Sequence, residues 1–263
     1  MEKCTCFFTK FQAQNLLASF EKYQGISMEK IVLLCFPYAG GSAAIYNKWK
    51  IYLDKRIELV PVEIAGRGRR INEPFCSSIA DAVEDIYQRI WTPIGQNKFS
   101  LFGHSMGSVI VYEICRRIRQ NGGREPAHIF VSGRYPPHIK KENERLHLLP
   151  DDEFKREILK IGGTPGEVFE DEKLAQIFVP ILKADYRLIE EYEYQEENLA
   201  FDCGITAFGG RQDGLVTRGE LQQWQRFTSL NCKTHEFEGD HFFIHHYTKE
   251  LTGMVNHTLS EYF

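Results

Sequence analysis

A chain of 263 residues is long enough to bury one large core without dividing, because α/β folds often reach this length in a single domain. Hydrophobic residues make up 43% and charged residues 26%, ordinary globular proportions that exclude a disordered chain. A net charge of -4 argues against a nucleic-acid binder, which needs a basic surface against phosphates, and no apolar run nears the roughly 18 residues required to cross a bilayer.

Residues 1–23 contain Phe7, Phe8 and Phe11 but no apolar core followed by a small-residue cleavage site, so no export signal is expected. The seven cysteines (Cys4, Cys6, Cys35, Cys76, Cys115, Cys203 and Cys232) are odd in number and scattered, the usage of reduced thiols in a cytoplasmic protein. Cys4 and Cys6 have no second Cys or His pair at ligand spacing, so no metal is expected there.

Short apolar runs at 31–36, 57–64, 99–102, 128–132, 205–208 and 234–237 are rich in β-branched and aromatic residues and read as strands. Most are separated by segments of helical period, the alternation of a mostly parallel sheet flanked by helices. In 79–91, Ile79, Val83, Ile86 and Ile90 fall three or four apart, while Asp81, Glu84, Asp85 and Arg89 take the opposite face. The next helix, 106–120, carries Ile110, Ile114 and Ile118 on one stripe and ends at Asn121-Gly122-Gly123. From 136 to 198 the alternation breaks: two helical segments, 151–161 and 173–194, flank the breaker Gly162-Gly163-Thr164-Pro165-Gly166 with no strand between. This reads as a helical insertion roofing the strand ends, a lid within a single domain spanning 1–263; a solvent-facing hairpin on the sheet edge is the alternative.

Between the run at 99–102 and the helix at 106 lies Gly103-His104-Ser105-Met106-Gly107, a Gly-x-Ser-x-Gly motif at a strand-to-helix turn. Small residues on both sides let strand and helix crowd together and leave a serine hydroxyl exposed above the sheet, which makes Ser105 the candidate nucleophile. The helix N-terminus adds the Met106 amide and positive partial charge where an oxyanion would form. A second donor is expected from the loop after the first strand, Pro37-Tyr38-Ala39-Gly40-Gly41-Ser42, with the Ala39 amide as candidate.

A hydroxyl needs a base, and the base needs a partner that fixes its tautomer. Two later loops follow strands on the same rim: Gly209-Gly210-Arg211-Gln212-Asp213-Gly214 and Glu238-Gly239-Asp240-His241-Phe242-Phe243. The chain order Ser, Asp, His of this fold class assigns His241 as base and Asp213 as its orienter. His245 and His246 lie deeper in the following segment, and the side chain of His104 should run along the turn. Asp202 precedes its strand and so sits at the wrong end of the sheet, and Asp240 is too close in sequence to approach the ring beside it. Activity should fall on acidification once a histidine base is protonated.

At these residues the sequence resembles the type II thioesterases of non-ribosomal peptide and polyketide synthases, and more loosely the medium-chain thioesterases of fatty-acid synthesis. The matching blocks run nearly the whole chain: Phe36-Pro37-Tyr38-Ala39-Gly40-Gly41, Gly66-Arg67-Gly68-Arg69-Arg70, Gly103 to Gly107, Leu149-Pro150-Asp151-Asp152-Glu153-Phe154, Gly162-Gly163-Thr164-Pro165, Ala184-Asp185-Tyr186-Arg187 and Asp240-His241-Phe242-Phe243. The family's triad falls on Ser105, Asp213 and His241. Ala65 stands where the family often has Pro, and Asp240 where Gly usually precedes the histidine. The resemblance implies the α/β-hydrolase fold and a cofactor-independent enzyme acting on acyl groups held by the phosphopantetheine arm of an acyl or peptidyl carrier protein. Net charge, the lack of a spanning run and the cysteine usage together lead to the expectation of a cytoplasmic protein, a monomer, that binds neither nucleic acid nor membrane.

Arg67, Arg69 and Arg70 form a basic cluster that is either surface charge, internal ion pairs or a contact for a phosphate or acidic carrier; Arg116, Arg117 and Arg119 are equally ambiguous. Two other functions share the motifs: an esterase or lipase acting on small oxygen esters, and a non-catalytic binding protein of hydrolase fold. An excised synthase domain is disfavoured by the initial methionine and by the lack of an upstream Asp-Ser-Leu carrier motif.

Overall fold

The apolar runs become β1 (Ile31–Phe36), β2 (Ile57–Pro61), β3 (Lys98–His104), β4 (His128–Ser132), β5 (Gly204–Gly210) and β6 (Cys232–Phe237), joined in one sheet of order β2-β1-β3-β4-β5-β6 in which every pairing is parallel. They are seen in a computed structural model that describes residues 30–94, 97–141, 145–197 and 200–263; the readings made on residues 1–23, Cys4 and Cys6 included, lie outside these. Cys35, Cys76, Cys115, Cys203 and Cys232 are free thiols, and among the described residues no helix is long and apolar enough to cross a membrane.

A parallel sheet needs both faces covered, and the period-2 alternation of side chains divides the core accordingly. Val32, Leu34, Leu101, Ile129 and Ile205 face α1 (Ile79–Ile94) and α2 (Met106–Gln120). Ile31, Leu33, Phe102, Phe130 and Phe208 face the 3-10 segment Ala43–Ile51 and α7 (Thr248–Leu259), the short α6 (Arg218–Gln222) lying between β5 and β6 in the chain. Phe102, Phe130 and Phe208 lie side by side on three neighbouring strands, fully buried, each contributing about 2 to 3 kcal/mol by its burial.

Between β4 and β5 the chain forms the 3-10 turn Leu146–Leu148, α3 (Asp151–Ile161), α4 (Glu167–Glu170) and α5 (Glu172–Glu190). These helices share a small core of their own, Phe154, Ile158, Ala175, Val179 and Leu182. The helix expected over 173–194 is present as the single α5, its end corrected from Tyr194 to Glu190. It starts where the Asp171 carboxylate accepts from Lys173 N and Leu174 N, and it carries Pro180 inside it. The run 57–64 yields ladder only to Pro61, because the chain then turns toward Arg67, while β3, β5 and β6 each extend beyond the expected apolar stretch.

His128 on β4 is 6% exposed, bonded through Nε2 to Thr206 Oγ1 on β5 at 2.8 Å. Burial, helped by the nearby Lys233, pushes its pKa down to about 4, against about 6.5 for an unperturbed histidine. Between those values the unfolded chain binds a proton that the native chain refuses, so stability is full above about pH 6.5 and is lost as pH falls toward 4. The loss amounts to about 3 kcal/mol from this one group. Denaturant melts at a series of pH values should show it, and His128→Gln should flatten the acid limb by about one proton; an unchanged limb in the variant would refute the assignment.

Candidate active site

The order of strands reverses direction between β1 and β3, and at such a switch point the loops leaving two neighbouring strands part to form a crevice. Phe36 at the end of β1 pairs with Gly103 near the end of β3, so the loop holding Ala39 and the turn holding Ser105 emerge side by side. Among the described residues Ser105 is the only non-glycine residue with positive φ (φ 53°, ψ -114°). Such a conformation costs of order 1 to 3 kcal/mol and persists only where the surroundings impose it. Here Ser105 N donates to Ser132 O at 2.7 Å, and the Ser108 hydroxyl donates to Gly103 O at 2.8 Å, closing the turn from both sides. Ser105 is partly exposed while its neighbours from Leu101 to Tyr112 are buried, so the hydroxyl is delivered to the surface of an otherwise closed core.

Asp213 and His241 come from the loops after β5 and β6. His241 Nδ1 lies 2.8 Å from Asp213 Oδ2, with side chains 6% and 0% exposed. A carboxylate only accepts, so Nδ1 carries the proton and Nε2 keeps its lone pair. Leu215 N donates to the other oxygen, Asp213 Oδ1, at 2.8 Å, which fixes the plane of the carboxylate. The His241 ring packs over Gly133, the residue after the one whose carbonyl holds Ser105: a Cβ at Gly133 would sit 3.1 Å from His241 Cε1 and 2.7 Å from His104 Cε1. Gly133 also has φ +61°, so glycine is required there twice over. The Ser105 hydroxyl has no protein hydrogen-bond partner among the described residues.

Of the competing groups, His104 is wholly buried beneath His241, ring centroids 5.1 Å apart, with Nδ1 2.8 Å from Ser132 Oγ. Burial, then the neighbouring His241 and His245, hold its pKa well below the histidine value, so it stays neutral. His245 is exposed and bonds Tyr38 Oη at 3.0 Å. Asp202 pairs with Arg119 before β5 begins, and the Asp240 carboxylate accepts from Phe242 N at 2.8 Å, closing its own loop.

The amides of Ala39 and Met106 have no protein acceptor among the described residues, whereas their neighbours Gly40 and Gly41 donate to Asp185 Oδ2 (2.7 Å) and Tyr38 O (2.9 Å). The insertion closes over this floor. Leu182 of α5 occupies the space a Cβ at Gly40 would need, and Phe242, beside His241, fills the space left by Gly163.

The basic cluster resolves into internal ion pairs for two of its three members. Arg67 is 2% exposed and pairs with the fully buried Asp185; Arg70 is held by Glu73 and Asp85; Arg69 is exposed. A buried, paired guanidinium is withheld from any partner, so Arg67 and Arg70 are excluded as carrier contacts. Arg116, Arg117 and Arg119 likewise pair with Glu113 and Glu197, with Glu84, and with Glu125 and Asp202. Sequence reasoning missed the Arg67–Asp185 pair, although both residues stand in the blocks that carried the resemblance.

Residues 32–259 match the model of the thioesterase domain family. The chain is 37% identical to linear gramicidin dehydrogenase LgrE of Brevibacillus parabrevis, over 89% of each. It is 36% identical to gramicidin S biosynthesis protein GrsT of Aneurinibacillus migulanus, over 86% of this chain and 87% of that one. In structure it resembles ClbQ from the colibactin NRPS/PKS pathway, with a TM-score of 0.85 at 41% identity over 88% of this chain and 98% of that one. The dehydrogenase name of LgrE finds no counterpart in this chain's loop after β1, where Ala39-Gly40-Gly41-Ser42 lacks the Gly-x-Gly-x-x-Gly spacing that approaches a dinucleotide pyrophosphate. The chain belongs to the thioesterase domain family and is a hydrolase of α/β-hydrolase fold acting on thioester bonds.

Proposed function

We propose that the protein is a free-standing, cytoplasmic thioesterase that hydrolyses acyl or peptidyl groups from the phosphopantetheine arm of a carrier protein, in the editing or release steps of peptide or polyketide assembly. Ser105 is the nucleophile, His241 the base, Asp213 its orienter, and the amides of Ala39 and Met106 hold the oxyanion. The observation that carries this reading is the Asp213–His241 hydrogen bond beside a strained, solvent-reaching serine. The kinship with GrsT and ClbQ supports the substrate class.

The Ser105 oxygen attacks the thioester carbonyl while His241 Nε2 takes its proton, and the carbonyl oxygen turns toward the two free amides. The carbon–sulfur bond breaks with little push, because thiols ionise near pH 8.5, and the departing sulfur collects the proton held by His241 and leaves as the free thiol. Neutral again, His241 takes a proton from water as the water oxygen bonds to the acyl carbon; the ester bond to Ser105 then breaks, His241 returns the proton to the Ser105 oxygen, and the free acid leaves. No cofactor or metal enters these steps. The chain acts as a single domain and monomer, with the insertion as a roof that covers the acyl group on Ser105.

Hydrolysis of a carrier-bound acyl thioester measured beside the matching oxygen ester tests the substrate class. The thioester should be preferred by tenfold or more in kcat/KM. A preference for the oxygen ester would return the protein to the esterases.

A further inference from the structure

The loop that carries Ala39 is held from outside the sheet. Gly40 N donates to Asp185 Oδ2 at 2.7 Å, and the two oxygens of that carboxylate also accept from the two terminal nitrogens of Arg67. Asp185 is fully buried on α5 of the insertion, and Arg67 is 2% exposed on the loop after β2. A two-pronged guanidinium–carboxylate contact sets the plane of the carboxylate, and that plane sets the direction of the Gly40 N–H. Leu182, one turn earlier on α5, fills the space beside Gly40, so the loop cannot slide past the helix.

These contacts constrain one particular amide. The Tyr38–Ala39 peptide is a rigid plane whose carbonyl accepts from Gly41 N at 2.9 Å, and the Ala39–Gly40 peptide is a second plane held through Gly40 N. With both planes pinned, the two dihedrals of Ala39 have no freedom left, and the Ala39 N–H, opposite the Tyr38 carbonyl, points one way. We infer that Asp185, oriented by Arg67, is a positioning residue for hydrolysis: it acts through Gly40 to aim the Ala39 amide at the developing oxyanion. The inference rests on the proposed role of Ala39. It makes α5 a fixed part of the catalytic frame, so any opening of the roof belongs to α3 and α4.

Two double variants separate positioning from stapling. Arg67→Met with Asp185→Asn removes the buried charges yet keeps an oxygen for Gly40 N; Arg67→Met with Asp185→Leu removes charge and acceptor together. The Leu variant should show kcat at least tenfold below the Asn variant at a KM within twofold. Its affinity for phenylboronic acid, whose tetrahedral serine adduct places an oxygen at the oxyanion position, should fall by a similar factor. Equal kcat and equal boronate affinity in the two variants would overturn the inference, whatever their melting temperatures. Should the Leu variant not fold, amide exchange in the unaltered protein decides: the Gly40 N–H should exchange at least a hundredfold more slowly than a free loop amide, and exchange at the free rate would overturn it. Ser105→Ala, run alongside, tells the two failures apart, because retained turnover there removes the proposed mechanism itself.

Discussion

Ser105→Ala and His241→Ala should each lower kcat by a factor of about 10^5 to 10^6, and the double variant should be no slower than either. The members of such a line act as a unit, so removing one already removes the activated nucleophile; the residual rate comes from the oxyanion donors and binding. Asp213→Asn should cost a factor of about 10^4 for a reason visible in the geometry. Leu215 N needs an acceptor at the position of Oδ1, so the asparagine oxygen settles there and its amide group faces His241 Nδ1. The imidazole must then accept at Nδ1 and carry its proton on Nε2, the tautomer unable to receive one from serine. Steady-state turnover of a carrier-bound thioester, with fluorophosphonate labelling to report Ser105, checks all three. A single variant within tenfold of the parent protein would remove that residue from the mechanism.

The parts of this site legible in the sequence were those whose chemistry is local. A serine between Gly103 and Gly107, at the join of a strand and an amphipathic helix, is written in nine consecutive residues, and its positive φ follows from them. Asp213 and His241 are singled out by position after their strands, because parallel strands all present their carboxyl ends to one rim, and the fold joins the two by a hydrogen bond. What no local pattern carried was pairing across the chain. Arg67 and Asp185 are 118 positions apart, on a loop and on an insertion helix, and a basic segment with two further arginines reads as surface until the buried carboxylate opposite is known. The same limit applies to Gly133: nothing around it signals that His104 and His241 both occupy the place of its missing side chain. The misjudged end of α5 has a related cause, since Tyr192 and Tyr194 extend its apolar character past Glu190 but are recruited by tertiary packing, Tyr192 through a hydrogen bond to Glu113 of α2 at 2.6 Å.

Gly107→Ala should destabilise the protein by more than about 4 kcal/mol, although alanine is ordinarily better than glycine in a helix by about 1 kcal/mol. A Cβ there would lie 2.2 Å from Phe36 O, 2.8 Å from Phe36 C and 3.0 Å from Pro37 O, all backbone atoms that no side-chain rotation can move aside. Relief requires α2 to lift off β1, which would break the turn at Ser105 and separate the Met106 amide from the Ala39 loop. Gly253→Ala makes the same chemical change on α7, where nothing lies within 4 Å, and should raise stability by up to about 1 kcal/mol. The pair isolates the steric demand of the elbow from helix propensity in a single denaturant series. A Gly107→Ala protein melting with the parent would mean that strand and helix stand further apart than 2.2 Å allows, and Ser105 would lose the crowding that forces its backbone into the strained form.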